Sequence, residues 1–175
     1  MPEPLFSMVK DEQQFIAQKW GPKYALRTPP HITLIPPLVI NEISELETIC
    51  QNVADKNTSF ILKMNDYEAF APRVIFIQPS YPKPLRSLYT SLRGKIVSKI
   101  PAALSRYPDE SFVPHITLAY RDMDSEVFRE MWRYYKNKRF TISVQIDKFS
   151  ILTNSAEGWE IATTYSLSGN PMLMV

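Results

Sequence analysis

Apolar residues recur at the three- and four-residue spacing of an amphipathic helix in four parts of the chain. The most regular of these parts has apolar residues at Leu85, Leu88, Tyr89, Leu92, Ile96 and Ile100. The first part ends at Gly21-Pro22, a pair that stops a helix. The pattern predicts helices over residues 8–20, 42–55, 84–100 and 125–136.

Elsewhere the pattern changes to the two-residue alternation of a strand. Phe140, Ile142, Val144 and Ile146 alternate strictly with polar residues, which predicts a half-buried strand. Further strands are predicted over residues 59–64, 73–78 and 159–165, the last after a turn at residues 157–158.

Four segments give a weaker signal. Residues 29–37 and 112–120 are predicted to be extended, and their prolines are tolerated only at strand margins. Residues 2–9 are too broken by prolines to be assigned as a strand. Residues 169–175 have no pattern, which predicts a disordered tail.

The order of these elements repeats once along the chain. The tetrapeptide His-Ile-Thr-Leu occurs at His31 and at His115, and a helix and two strands follow each copy. Matching elements have similar offsets, 115 − 31 = 84 for the tetrapeptides and 140 − 60 = 80 and 159 − 73 = 86 for the strands. We therefore predict one bilobal α+β domain over residues 1–175, in which the halves 29–80 and 113–168 repeat a βαββ unit. A pseudo-twofold axis would leave a cleft between the two sheets.

Composition limits the kinds of ligand that such a domain binds. The chain has 175 residues, of which 45% are apolar, enough for one continuous core. Its formal net charge of +2 argues against binding a long nucleic-acid tract but is compatible with a small anion in a pocket. The one cysteine, Cys50, excludes an intramolecular disulfide and is predicted to be a buried, inert thiol.

The sequence has none of the usual targeting or membrane features. The N-terminus lacks a basic segment followed by an apolar one, and no apolar run approaches the roughly 20 residues of a membrane span. We therefore expect a cytoplasmic protein that does not associate with membranes.

His31 and His115 are the two histidines of the sequence, and each directly follows a proline. Because side chains alternate along a strand, each histidine would share a face with the threonine two residues later, Thr33 or Thr117. Facing halves would then surround one space with two imidazoles and two hydroxyls. That arrangement suits attack on phosphorus: a neutral imidazole takes a proton from water and a protonated one gives a proton to the leaving oxygen. The hydroxyls can donate to the non-bridging oxygens, and the scheme requires neither metal nor cofactor.

The two histidines and their threonines could instead have a structural role or bind zinc. A single histidine in a strand is more often structural than catalytic, and threonine is ordinary in strands. Zinc binding is the second alternative, but paired cysteines and a clear acidic third ligand are missing from the sequence. An identical tetrapeptide that uses both histidines favours the catalytic role.

Three segments of the chain carry a family resemblance. They read PPHITL at residues 29–34, FAPRVIFI at residues 70–77 and FVPHITLAY at residues 112–120. The two His-Ile-Thr-Leu copies resemble the twin HxTx motifs of the two-histidine (2H) phosphoesterases, which include the 2′-5′ RNA ligase-like proteins and cyclic phosphodiesterases. The resemblance extends over approximately residues 23–167.

The resemblance implies a fold and a set of roles. The fold would be bilobal and LigT-like, with two antiparallel-rich sheets that face a central cleft and helices outside. His31 and His115 would be the catalytic pair, the second activating water and the first acting as the acid, and Thr33 and Thr117 would bind phosphate. Many relatives begin with a clear strand, from which the proline-broken residues 2–9 depart.

Aromatic and basic residues near the motifs are further candidates for substrate binding. Arg121 lies six residues after His115, so strict alternation places it on the cleft face and turns Tyr120 away unless a bulge intervenes. The alternative for Arg121 is a solvated turn. Tyr24 and Phe112, and also Phe70, could stack on a base, although core packing is the commoner role of such rings.

The leading function is metal-independent hydrolysis of 2′,3′-cyclic phosphates on RNA ends or nucleotides. Cleavage or formation of 2′-5′ linkages would use the same residues, although no ATP-binding GxxxxGK(S/T) loop occurs. A non-catalytic protein that binds RNA ends or nucleotides is the third possibility. The expected partners are therefore RNA ends or small nucleotides that carry a cyclic phosphate or a 2′-5′ diester, without an obligate protein partner.

Overall fold

The computed structural model describes residues 1–107, 111–156 and 158–169. Its α-helices are α1 (Leu5–Trp20), α2 (Ser44–Ala54), α3 (Lys83–Lys99) and α4 (Ser125–Tyr135). Its strands are β1 (Phe60–Phe70), β2 (Val74–Pro79), β3 (Ile116–Tyr120), β4 (Thr141–Ile146), β5 (Lys148–Ser155) and β6 (Gly158–Ser166). Short 3₁₀ turns lie at Tyr24–Arg27 and Pro101–Leu104.

The strands form two antiparallel sheets. One sheet has four strands in the order β3-β2-β1-β4, and the other is the β5-β6 hairpin. Helix α1 contacts β3, α4 contacts β1, and α2 contacts both α3 and β6. The predicted α+β class and two antiparallel sheets are confirmed.

The core consists of helix stripes packed on the sheets. Fully buried side chains include Leu5 and Ile16 of α1, Leu62 of β1, Ile75 of β2 and Met131 of α4. These side chains belong to one continuous apolar cluster, as the composition predicts.

Cys50 belongs to the same cluster. It is buried, and burial raises the pKa of its thiol to about 12, so the thiol stays protonated near neutral pH. The predicted burial of Cys50 is thereby confirmed.

Helix α1 begins three residues earlier than predicted and occupies much of the segment where many relatives have a strand. Pro4 stands just before it, and Leu5, Val9, Gln13 and Ile16 form its buried stripe. A proline at a helix start costs little, because the first N–H groups of a helix have no partner within it. The prolines therefore break a strand without preventing a helix.

Strand β1 runs to Phe70, six residues past its predicted end. Its pairing with β2 shifts by one residue between Met64 and Tyr67, and Asp66 in this bulge has a φ of 60°. The bulge reverses the faces of the later residues, so strict alternation ends at Met64 although the strand continues.

The second half of the chain contains a strand that the alternation missed. Strand β5 has no regular alternation of buried and exposed residues. Strand β4, which the predicted repeat matched to β1, pairs with β1 in the same sheet. The hairpin β5-β6 is thus the better counterpart of β1-β2, with offsets of 148 − 60 = 88 and 158 − 74 = 84. The single bilobal domain and its internal repeat stay predictions.

The first motif lies in a segment without a strand, and this part of the prediction is wrong. Residues 29–37 have no ladder partner among the residues that the structure describes. Prolines stand at positions 29, 30, 36 and 37, and none of them can donate a backbone hydrogen bond. Only residues 31–35, between the two proline pairs, keep their backbone donors, and none of them joins a ladder with another described residue. Residues 170–175 of the predicted disordered tail (169–175) and Glu157 of the predicted turn lie outside the described residues. Gly169 is described, and its N–H donates to the Asn57 carbonyl oxygen at 3.0 Å.

Candidate functional site

The second motif lies at the start of β3, the edge strand of the larger sheet. His115 immediately precedes β3, and its ring packs against Phe70 and Phe76 with centroid distances of 5.3 and 5.4 Å. Phe76 is buried, whereas Phe70 is 40% exposed. The imidazole therefore rests on an aromatic surface that is partly open to solvent.

A β-bulge in β3 determines which side chains follow His115 on the same face. Phe76 pairs with Thr117 and Ile75 pairs with Ala119. Leu118 of β3 therefore lies between them without a partner residue in β2. Leu118 and Ala119 are both buried, and Tyr120 is half-buried like Thr117. The expected strict alternation of side chains along β3 is therefore wrong. Because of the bulge, the Tyr120 side chain lies on the same face of the strand as the Thr117 side chain.

The first motif is held by its own side chains. His31 Nδ1 donates to the Pro29 carbonyl oxygen at 2.8 Å, and His31 Nε2 lies 3.1 Å from Thr33 Oγ1. The hydroxyl of Thr33 thus lies beside the imidazole although no strand alternation places it there. The predicted pairing of histidine and threonine holds by hydrogen bonding instead.

Both histidines use the same backbone anchor. His115 Nδ1 lies 2.8 Å from the Val113 carbonyl oxygen, two residues before it, as Pro29 is before His31. Since a carbonyl oxygen only accepts, Nδ1 carries hydrogen in both rings and Nε2 is the nitrogen left for a substrate. The repeated sequence therefore produces a repeated ring orientation.

The structure brings the first motif against the second. His31 and Thr117 line one small cavity of about 10 Å³, together with Gln13 and residues that directly precede His31. Burial is the main cause that lowers the pKa of His31, and the nearby charge of His115 lowers this pKa further. His31 is therefore held mainly in its neutral form near pH 7.

Gln13 is a residue of this site that the sequence analysis missed. Its side chain is 3% exposed, Nε2 donates to the Thr117 carbonyl oxygen at 2.9 Å, and Oε1 has no partner in the structure. The cavity beside it is about the size that one water molecule needs. A polar residue in the apolar stripe of α1 was the available signal, because such a residue is buried only with a partner.

Replacing Gln13 with leucine is expected to lower the free energy of unfolding by about 1–3 kcal/mol, because the Thr117 carbonyl loses its donor. Urea unfolding of Gln13→Leu beside Gln14→Leu, an exposed neighbour on α1, measures the difference. Equal stability of both variants would contradict a positioning role for Gln13.

A much larger cavity separates the two sheets. Its volume is about 1520 Å³, and its lining includes Phe60 and Leu62 of β1, Ile151 of β5 and Trp159 of β6. This cavity is the predicted central cleft. His31 and Thr33 line it, but His115 and Thr117 are not part of its lining. His31 lines both cavities and meets Thr117 of β3 in the small one, while most of the wall of the large cavity is apolar.

Three of the four further candidates form one group at the cleft. The Tyr24 and Tyr120 rings lie 5.1 Å apart, and Arg121 Nη1 donates to the Tyr24 hydroxyl at 3.0 Å. All three line the large cavity. Burial raises the pKa of Tyr120, so its hydroxyl stays protonated and can donate. The structure does not bring Phe112 to this group, because the ring of Phe112 stacks on Tyr89 at 4.4 Å.

Among the described residues, no group of three His, Cys, Asp or Glu side chains is arranged to hold a metal ion. No helix in that part of the chain is long and apolar enough to cross a membrane.

Relatives of known family share this sequence over most of its length. The 2′-5′ RNA ligase superfamily model matches residues 5–158. A predicted phosphoesterase of Bacillus cytotoxicus is 30% identical over 166 residues, which cover 91% of each chain. A second predicted phosphoesterase, from Bacillus licheniformis, is 26% identical over 86% of each chain.

Solved structures share the fold. The protein TT0787 of Thermus thermophilus is 19% identical and superposes with a TM-score of 0.73 over 98% of this chain and 96% of its own. LigT of E. coli, solved with 3′-AMP, is 18% identical and superposes with a TM-score of 0.60 over 93% and 92% of the two chains. The fold is LigT-like, and the chain belongs to the 2′-5′ RNA ligase superfamily of two-histidine phosphoesterases.

Proposed function

We propose that this protein hydrolyses 2′,3′-cyclic phosphates at RNA ends or on nucleotides, with His31 and His115 as the catalytic pair. The observation that carries the proposal is the shared anchoring of both rings through Nδ1, which makes Nε2 the nitrogen of each ring that can exchange a proton with a substrate. A histidine with a purely structural role would not need the same ring orientation in both copies of the motif. The cavity that His31 shares with Thr117 supports a common site for both motifs.

The proposed reaction is an in-line displacement at phosphorus. The oxygen of a water molecule bonds to phosphorus while one P–O bond of the cyclic phosphate breaks, so the product is a phosphomonoester. One imidazole receives the proton of the water, and the other protonates the ribose oxygen that leaves. Thr33 and Thr117 donate hydrogen bonds to the non-bridging oxygens, where negative charge increases in the transition state.

The environment of His31 supports this histidine as the base, the reverse of the roles that the family resemblance implies. Burial lowers its pKa, which favours the neutral form of the imidazole. A base must be neutral before reaction and an acid must be charged. We therefore infer that His31 activates water and His115 protonates the leaving oxygen.

The pH profile of kcat/KM tests these roles, since it reports the pKa values of the free enzyme. A base with a lowered pKa stays neutral in more acidic solution, so the acidic limb is expected below the ordinary histidine pKa of about 6.5. If His31 were the acid instead, activity would already fall as pH rises through that lowered pKa, and the optimum would be acidic. NMR titration of His115→Asn, which retains one imidazole, provides the His31 pKa independently.

Known neighbours support a nucleotide as the substrate. Structures of E. coli LigT with 3′-AMP and with NADP⁺ exist for the same fold. The Tyr24–Tyr120–Arg121 group would contact the nucleoside beside the reacting phosphate. A 2′-5′ ligase or 2′-5′ phosphodiesterase is the second candidate function, because the superfamily takes its name from that activity.

The proposal is tested by incubating the protein in EDTA with 2′,3′-cyclic nucleotides, short RNAs with cyclic-phosphate ends and 2′-5′-linked dinucleotides. EDTA-resistant opening of the cyclic phosphates is expected, and the position of the product phosphate identifies the bond that breaks. Cleavage of the 2′-5′ dinucleotides alone would favour the second candidate. Binding without cleavage of any of these substrates would favour the non-catalytic alternative.

A further inference from the structure

Two arginines flank one tyrosine at the mouth of the cleft. The guanidinium carbons of Arg27 and Arg121 lie 5.3 and 5.2 Å from the centroid of the Tyr24 ring. Arg27 Nη2 also donates to the Ala156 carbonyl oxygen at 3.3 Å, and Arg121 Nη1 donates to the Tyr24 hydroxyl. The two positive charges are thus held near each other by a shared ring.

The backbone beneath these arginines is tied together. Asp122 accepts the N–H groups of Lys23 and Tyr24, both at 2.8 Å, which fastens the 3₁₀ turn to the end of β3. Arg121 has a φ of 71°, a left-handed conformation that is uncommon for a residue with a side chain and that usually needs support from its surroundings. The Asp122 N–H donates to the Tyr120 carbonyl oxygen at 3.0 Å, so this conformation belongs to a tight turn at the end of β3 that fixes where the Arg121 side chain begins.

The charge of this arginine pair is not balanced by an ion pair. Within residues 1–107, 111–156 and 158–169, no carboxylate forms a salt bridge with either Arg27 or Arg121. Both side chains are exposed and line the cavity that also reaches His31 and Thr33. The two guanidinium carbons lie at most 5.3 + 5.2 = 10.5 Å apart across the Tyr24 ring. Two guanidiniums without a carboxylate partner, in a cavity that also reaches His31 and Thr33, suit a second anionic group on the same ligand.

We propose that Arg27 and Arg121 bind a second phosphate of the substrate, on the 5′ side of the nucleoside whose cyclic phosphate reacts. This inference rests on the proposed function and names its substrate class: nucleotides that carry a 5′ phosphate group, in preference to nucleosides that carry the reacting phosphate alone. The shared chemistry is a phosphate group, which either a small nucleotide or the preceding phosphodiester of an RNA end supplies.

Binding to stable product analogues tests the inference without relying on turnover. Calorimetric titration would compare adenosine 3′-phosphate, adenosine 3′,5′-bisphosphate and the dinucleotide ApA with a 3′-phosphate. Wild type is expected to bind at least one of the two-phosphate ligands about tenfold more tightly than the one-phosphate ligand. A gain with the bisphosphate alone indicates small nucleotides, and a gain with the dinucleotide indicates RNA ends.

The arginine variants determine where any preference arises. Arg27→Ala and Arg121→Ala are each expected to remove most of the preference. Arg86→Ala is the matched control, because this guanidinium also lies over a tyrosine, Tyr81, at 4.9 Å but is not part of the cavity lining. An equal affinity of wild type for all three ligands, or a preference that survives in Arg27→Ala, would overturn the inference.

Failure of the proposed function has a different signature. The protein could bind the two-phosphate ligands with an Arg27-dependent preference and yet open no cyclic phosphate. That result would support the phosphate subsite and contradict the proposed hydrolase activity. Opening of cyclic nucleotides without any preference for a second phosphate would support the proposed hydrolase activity and contradict the phosphate subsite.

Discussion

His31→Asn and His115→Asn are each expected to reduce kcat by about 10²- to 10⁴-fold, the usual contribution of one positioned acid or base. Asparagine preserves an N–H donor near the position of Nδ1, so the bonds to the Pro29 and Val113 carbonyls can persist. The variant removes Nε2, the atom that the mechanism uses. Single-turnover hydrolysis of a 2′,3′-cyclic nucleotide measures the loss, and thermal unfolding should differ little from that of wild type.

The double variant, His31→Asn with His115→Asn, tests whether the two histidines act in the same step. Because acid and base act in one step, removing both is expected to cost far less than the product of the two single effects. Multiplicative losses would indicate that the histidines act independently. Activity near that of wild type in either single variant would exclude the two-histidine mechanism.

Thr33→Val and Thr117→Val are expected to have the next largest effect on catalysis. Valine keeps the shape of threonine but cannot donate to a non-bridging oxygen, so each change is expected to raise the barrier by about 1.5–4 kcal/mol. The loss should fall mainly on kcat, because the hydrogen bond strengthens as charge develops on the phosphate.

Steady-state kinetics of both threonine variants beside Thr141→Val provides the comparison. Thr141 is an exposed threonine of β4, where the same substitution touches no candidate site. An equal, small effect at all three positions would leave Thr33 and Thr117 without a role in phosphate binding.

Most helices and the family of the chain could be predicted from the sequence because their signals are local. The apolar stripe of α3 is a property of seventeen neighbouring residues, and its predicted bounds differ from the observed ones by one residue at each end. The repeated Pro-His-Ile-Thr-Leu contains both the imidazole and a threonine two residues later, and the carbonyl that orients each ring is only two residues before it. The hydrogen-bonded pair of His31 and Thr33 is likewise contained within one motif.

The predicted strands differ from the observed ones where hydrogen bonding to a strand far away in the sequence changes the alternation of buried and exposed residues. The bulges in β1 and β3 depend on how many residues the neighbouring strand β2 offers, which a single strand does not reveal. Tyr120 therefore faces the side opposite to the one that strict alternation assigns, and β5 escaped detection because its burial depends on β6 and the cleft.

Local sequence was sufficient to identify the two His-Ile-Thr-Leu motifs and the family to which they belong, because a motif is contained within a few neighbouring residues. Tertiary packing was required to show that Gln13 of α1 holds the second motif, that half-buried His31 lies beside Thr117, and that Arg27 and Arg121 both lie against Tyr24. These contacts join residues that are far apart in the chain, and their formation depends on the packing of whole elements rather than on any local pattern.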